Sequence, residues 1–303
     1  ADPPAVSGQL AKSLRYARDP WAPDALEVDP AEEVLLIGTG LTMVDVALGL
    51  RDADHRGRIH ALSRRGLRPQ PHRVSAKPPP HLDAPSDLEE WPNTALGMLR
   101  ALRQQVRALA REGVDWREVV TSIRHDTPAL WQRLDTNERR LFLDRLRPFW
   151  ETHRHRASPD ASLGVDEMIE AGRLEVIAGT LKDLSEASDG VVVTLRRRGT
   201  DASETLRVGK VINCTGPDTD LARVGDPLIQ ALRREGLVRT DGLGLGLDTD
   251  EQGRLLDAFG RPSRRLFLVG PLRKGLLWEN TAVPELRVEA KRMADLLADE
   301  RSA

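Results

Sequence analysis

Cysteine is almost missing from this chain: Cys214 is the only one in 303 residues. A lone thiol cannot make an internal disulfide, a Cys-x-x-Cys redox pair or a cysteine-based zinc site, which excludes disulfide-reductase chemistry from this polypeptide. Lysine is also scarce, supplying six of the 45 basic residues, a bias that a GC-rich genome would produce. No apolar run approaches the roughly 20 residues needed to span a bilayer. No signal peptide opens the chain, so the expected location is the cytoplasm, with no membrane partner. A net charge of −2 gives no overall attraction to nucleic acid. No repeat recurs at solenoid periods. The chain opens Ala1-Asp2-Pro3-Pro4 without a methionine, as a processed start or a piece cut from a longer protein would.

What is present reads as a soluble globular protein, 40% apolar and 30% charged, long enough for one large or two ordinary domains. Residues 1–30 are rich in Pro, Asp and Ala and predict an irregular lead-in. Val34-Leu35-Leu36-Ile37 predicts a buried parallel strand. Leu41, Val44, Ala47 and Leu48 predict a helix, and Arg58–Leu62 a second strand, completing one βαβ unit. Residues 66–92, centred on Pro78-Pro79-Pro80, predict a loop or linker. A helical block follows. One stripe is Leu99, Leu102, Val106 and Leu109; Trp131 and Leu134 mark another helix. Asp135 with Glu138 resembles a capping box opening a third, which carries Leu141, Phe142, Leu146 and Phe149. Beyond a short helix at Val165–Ala171, strands are expected at Leu174–Ala178, Val191–Arg196 and Thr205–Asn213, with a hairpin turn at Gly199–Ser203. A last strand at Leu266–Val269 and a helix from about Pro284 to Leu297 complete the reading.

The strongest motif is Gly38-Thr39-Gly40-Leu41-Thr42-Met43. In a dinucleotide fingerprint the first glycine permits the tight turn and the second lets a pyrophosphate approach the backbone. The helix N-terminus then offers free N–H groups and a positive dipole end. Gly38, Thr39, Gly40, Leu41 and Thr42 are therefore assigned to a pyrophosphate, a purely structural turn being the alternative. Met43 stands where Gly or Ala is expected, which predicts a looser helix–strand contact. At the end of the second strand, where an NAD site places Asp or Glu on the ribose, the chain has Ser63-Arg64-Arg65. Arginine holds a 2′-phosphate that a carboxylate would repel, so these three residues favour NADP; solvated surface charge is the alternative.

Two further stretches carry less specific signals. Ile212-Asn213-Cys214-Thr215-Gly216-Pro217 is an apolar strand ending in Thr-Gly, as in the returning strand that closes a flavoprotein's dinucleotide domain, with Thr215 and Gly216 near the adenylate end of FAD. Cys214 reads as a buried small hydrophobe. Leu266 to Val269 leads to Gly270-Pro271, and Asn280 or Thr281 is a credible cap for the last helix, whose N-terminus would face a flavin ring or else lie on the surface. His153-Arg154-His155-Arg156 reads either as an anion site or as a solvated basic helix end, and its histidines lack zinc spacing, so no metal is assigned.

Together these stretches resemble the bacterial FAD/NAD(P)-binding proteins, two-dinucleotide flavoproteins distantly related to the class B flavin monooxygenases. The resemblance spans nearly the whole chain. It implies an α/β fold: a Rossmann-like NAD(P)-binding domain with a helical insertion, plus the C-terminal part of an FAD-binding Rossmann-like domain. On that reading residues 1–30 are a lead-in, 31–85 the NAD(P)-binding βαβ, 86–156 the helical insertion, 157–213 the rest of the NAD(P) domain, and 214–303 the C-terminal FAD part. The family carries an FAD fingerprint ahead of a segment like Pro3-Pro4, and residues 1–30 hold no second G-x-G, so the FAD site is expected to be incomplete in this chain. The implied activity is hydride transfer from NADPH to FAD, monooxygenase-like, on an unidentified small molecule. Thr215, Gly216, Gly270, Pro271 and Thr281 would line what remains of the flavin site, and no catalytic acid or base is assignable. The alternative is a non-catalytic NAD(P)-binding or scaffold protein left by loss of the N-terminal FAD segment. The chain's expected associations are a homo-oligomer or the missing segment itself.

Overall fold

The computed structural model describes residues 3, 6, 10–74, 82–221 and 224–300. Pro78-Pro79-Pro80, and Ala1, Asp2 and Pro4 of the opening segment, lie outside them. The chain divides into two compact units: Ala1–Pro79 with Arg147–Pro217, and Pro80–Leu146 with Asp218–Ala303. In chain order the elements are β1 (Tyr16–Ala17), β2 (Val34–Ile37), α1 (Leu41–Asp52), β3 (Ile59–Ser63), α2 (Ala95–Ala110), α3 (Trp116–Ser122), α4 (Thr127–Arg133) and α5 (Thr136–Leu141). There follow α6 (Arg147–Arg154), α7 (Pro159–Glu170), β4 (Leu174–Ala187), β5 (Gly190–Arg197), β6 (Ser203–Val208), β7 (Lys210–Asn213), α8 (Pro227–Arg234), β8 (Arg254–Leu256), β9 (Pro262–Phe267) and α9 (Val283–Glu300).

The first unit is a seven-stranded sheet in the order β1-β7-β2-β3-β4-β5-β6. It is parallel from β1 to β4 and turns antiparallel through β5 and β6. All four residues of β2 are buried, because alternate side chains enter different cores. Val34 and Leu36 join Val44, Ala47 and Leu50 of α1 and Val165 of α7. Leu35 and Ile37 join Ile177, Val191, Val193 and Leu195. A strand covered on both faces shows no polar alternation, which is why the run is uniformly apolar.

Several boundaries differ from the sequence reading. Residues 10–30 are mostly turns, but Tyr16–Ala17 pair in parallel with Val211 and Ile212 as an edge strand. The expected strand Thr205–Asn213 is two, β6 at one edge and β7 between β1 and β2. The break is at Gly209, whose N–H donates to the Glu33 carbonyl at 2.8 Å, and where a Cβ would lie 2.1 Å from the Glu32 carboxylate. The short helix expected at Val165 begins earlier, at Pro159, with Ser158 as its cap. The helix carrying Leu141 to Phe149 is split by a π-helical turn at Phe142–Leu146. Pro148 has no N–H to give the carbonyl four residues back, so α-helical hydrogen bonding cannot run through this stretch.

The second unit holds α2 to α5, α8, α9 and the β8–β9 hairpin. Trp131 stacks on Trp278 with centroids 4.8 Å apart, and Phe142 meets both edge-on. The Asp135 carboxylate caps α5 through the Glu138 N–H at 2.9 Å, while the Glu138 carboxylate accepts from the Ala95 N–H at 2.8 Å, tying α5 to the start of α2. The expected strand Leu266–Val269 runs instead over Pro262–Phe267 and pairs with β8. The last helix begins at Val283, and the Leu286 N–H bonds to the Ala282 carbonyl. Ala282 therefore holds the cap position expected of Asn280 or Thr281. The Asn280 side chain turns to Glu289 instead.

Candidate functional site

β2 is flanked by β3 on one side and β7 on the other. The chain leaves β2 through α1 toward β3 and returns through β7, so a topological switch point lies at the C-terminal ends of β2 and β7. In open parallel sheets ligands bind in that crevice. Gly38, Thr39 and Gly40 stand there on the β2 side, and Thr215 and Gly216 on the β7 side. The Cys214 N–H donates to the Ile37 carbonyl at 2.8 Å.

The two glycines of the loop have different reasons to be glycine. Gly38 has φ +113°, and a Cβ there would lie 2.5 Å from the Cys214 carbonyl oxygen. It lets β2 turn against β7. Gly40 has φ −83°, is exposed, and a Cβ there would meet nothing within 4 Å. Open space over the backbone here is what a close approach of a pyrophosphate needs. Gly40 also stands at the N-terminus of the 12-residue helix α1, with no side-chain cap. The first intrahelical bonds run from Met43 and Val44 to the Gly40 carbonyl, which leaves the N–H groups of Leu41 and Thr42 without an intrahelical partner. Met43, at the fingerprint's third position, is wholly buried among Val34, Ala47 and Ile212, so its side chain fills the helix–strand contact.

The Ser63-Arg64-Arg65 turn adjoins the glycine loop. Thr39 Oγ1 lies 2.5 Å from the Leu67 carbonyl oxygen and 2.8 Å from Ser63 Oγ. The Gly66 N–H donates to Ser63 Oγ at 3.0 Å. The Arg65 guanidinium sits over the Phe149 ring, 4.9 Å from its centroid. Arg64 is exposed and makes no ion pair or hydrogen bond among the described residues. Arg68 is paired with Asp166 at 2.7 Å. An exposed guanidinium beyond the second strand, on a turn fastened to the glycine loop, suits the 2′-phosphate of NADP.

Thr215 donates from its hydroxyl to Asn213 Oδ1 at 2.7 Å; Gly216 has φ +86° and open space where a Cβ would be. Cys214 is buried, and desolvation pushes its thiol up to about 12, which makes it inert at neutral pH. His153, on α6, contacts the Phe149 carbonyl through Nδ1 at 2.8 Å, one helical turn back.

Gly270, Pro271 and Thr281 are in the second unit. Gly270 has φ +114°, and its N–H donates to the Glu289 carboxylate at 3.1 Å. That carboxylate also binds Asn280 and forms a buried ion pair with Arg273. Sequence reasoning missed this cluster, since its members are spread over 20 residues with no common spacing. Pro271 and Thr281 are exposed. Among the described residues, Gly38–Gly40 is the only glycine loop joining a parallel strand to a helix N-terminus. A loop of this kind is what a dinucleotide pyrophosphate needs.

Solved structures place this architecture among known proteins. L-Lysine 6-monooxygenase from Pseudomonas syringae superposes with a TM-score of 0.56 over 92% of this chain and 56% of its own, at 16% identity. Ornithine hydroxylase from Pseudomonas aeruginosa gives 0.55 over 95% and 57%, at 15% identity. The chain shares their fold. Ornithine N-hydroxylase from Kutzneria sp. 744, in a complex with reduced FAD, NADP+ and L-ornithine, gives 0.56 over 96% and 60%, at 14% identity. The chain thus spans little more than half the length of these enzymes. No protein-family model and no curated protein sequence matches it. No helix among the described residues is long and apolar enough to cross a membrane.

Proposed function

We propose that this chain is the NADPH-binding part of a flavin-dependent oxidoreductase acting on a small molecule. One observation carries the reading: the Gly38–Gly40 loop joins a parallel strand at the switch point to the uncapped N-terminus of α1, with open space over Gly40. Gly38, Thr39, Gly40, Leu41 and Thr42 surround the pyrophosphate, and Arg64 with Arg65 takes the 2′-phosphate. Within the first unit the proposal assigns Thr215 and Gly216 to the flavin side, and within the second, taken by itself, Gly270, Pro271 and Thr281. A flavin supplies the hydride acceptor and the oxygen chemistry; this chain's residues bind and orient the hydride donor.

A second reading, a nucleotide-binding module without a flavin of its own, is favoured by there being one such glycine loop among the described residues. NADPH oxidation, measured with the purified chain and added FAD, separates the two. Turnover that disappears in Gly40→Val supports the oxidoreductase. NADPH binding without turnover supports the module.

A further inference from the structure

Ser63 stands where a 2′-phosphate ligand is expected, but its hydroxyl is already engaged. Thr39 Oγ1 is 2.5 Å from the Leu67 carbonyl oxygen and 2.8 Å from Ser63 Oγ. A hydroxyl carries one proton and a carbonyl oxygen can only accept. The Thr39 proton therefore goes to Leu67, and the 2.8 Å contact uses the proton of Ser63. The Gly66 N–H meanwhile donates to Ser63 Oγ at 3.0 Å. The chain of bonds runs from Gly66 to Ser63 to Thr39 to the Leu67 carbonyl, and Thr39 is buried, 5% exposed. Ser63 has no proton left for a phosphate, which needs donors. Arg64 and Arg65 lie between the residues this chain closes together.

We infer that Thr39 and Ser63 are positioning residues for NADP selectivity. They hold the Arg64–Arg65 turn at a fixed place beside the glycine loop, so that pyrophosphate and 2′-phosphate are read at one spacing. The inference rests on the NADP reading above and replaces a direct role for Ser63 with an indirect one. Its structural signature is that two hydroxyls 24 positions apart act as one unit, although only one of them adjoins the arginines.

The experiment is a double-mutant cycle on the full chain with Thr39→Val, Ser63→Ala and both together, titrated with NADPH and with NADH. Thermal midpoints check the fold, and Thr39→Ser and Ser63→Thr keep a hydroxyl at each place. Each single change is expected to lower the NADPH-over-NADH preference by about fivefold, the scale of one lost neutral hydrogen bond. The double change should lower it no further, because either removal breaks the same unit. The hydroxyl-keeping variants should retain most of the preference. Loss in Ser63→Ala with none in Thr39→Val would make Ser63 a direct ligand and overturn the inference, leaving the NADP reading intact. Multiplying losses in the double variant would overturn it as well. Equal weakening of NADH and NADPH would show a merely structural role. Wild-type chain that binds neither nucleotide would overturn the underlying reading and the inference with it.

Discussion

The loop's two glycines make opposite predictions. A side chain at Gly40 would point into open space, so Gly40→Val should leave the thermal midpoint nearly unchanged while removing NADPH binding. Gly38 is pressed against the Cys214 carbonyl at φ +113°, so Gly38→Val should unfold the first unit or lower its midpoint sharply. Paired melting and nucleotide titration check both; unchanged NADPH affinity in Gly40→Val would reduce the loop to a structural turn. Arg64, without a partner among the described residues, is predicted to act on one nucleotide only. Arg64→Ala should weaken NADPH about tenfold, the scale of a lost charge-assisted contact, and leave NADH nearly unchanged. Equal weakening of both would make Arg64 ordinary surface charge.

Among elements, the clearest liabilities are buried charges. Arg273 and Glu289 form an ion pair that is 3% and 8% exposed and that also holds the Gly270 N–H and Thr249. Removing one partner strands the other, so Arg273→Met should cost about 3 kcal/mol or more, read in a denaturant melt of the second unit. Less than about 1 kcal/mol would mean that the ion-pair cluster does not hold Gly270 in place. In the α1–β3 connection, both ring nitrogens of His55 are buried and find no hydrogen-bond partner among the described residues. Burial first, and then the charge of Arg173, lowers its pKa below the usual 6.5. The folded state thus takes up that proton less readily than the unfolded chain. The corresponding stability is complete above about pH 6.5 and is lost as pH falls below it. Glu175 adds a second loss lower down. Burial pushes its carboxyl up, but the Arg197 hydrogen bond and charge, with Arg58 and His60, hold it below the usual 4.5. Melting temperature should therefore decline below pH 6.5 and more steeply below 4.5, and His55→Phe should flatten the upper part. An unchanged profile in that variant would contradict the assignment.

For the whole molecule, what was legible in the sequence was what local chemistry enforces. Val34 to Ile37 read as a buried parallel strand because both faces are covered, and the glycine loop read as a turn into a helix because its context demands one. The place of β7 was not legible. Thr205 to Asn213 has enough β-branched and apolar residues to read as one strand, and nothing in it shows that Gly209 passes against Glu32 or that its two halves lie at different positions in the sheet. Tyr16–Ala17 was hidden because two residues have no periodicity. The work of Thr39 and Ser63 was equally hidden, since a hydroxyl's partner is set by a loop folded from 24 positions away.

NADP is assigned to the crevice above β2 and β7, and calorimetric titration of the 303-residue chain with NADPH and, separately, NADH tests that assignment most directly. The predicted result is one site per chain with NADPH bound at least about tenfold more tightly, as a charge-assisted arginine–phosphate contact provides. No binding of either nucleotide, or equal affinity for the two, would contradict it.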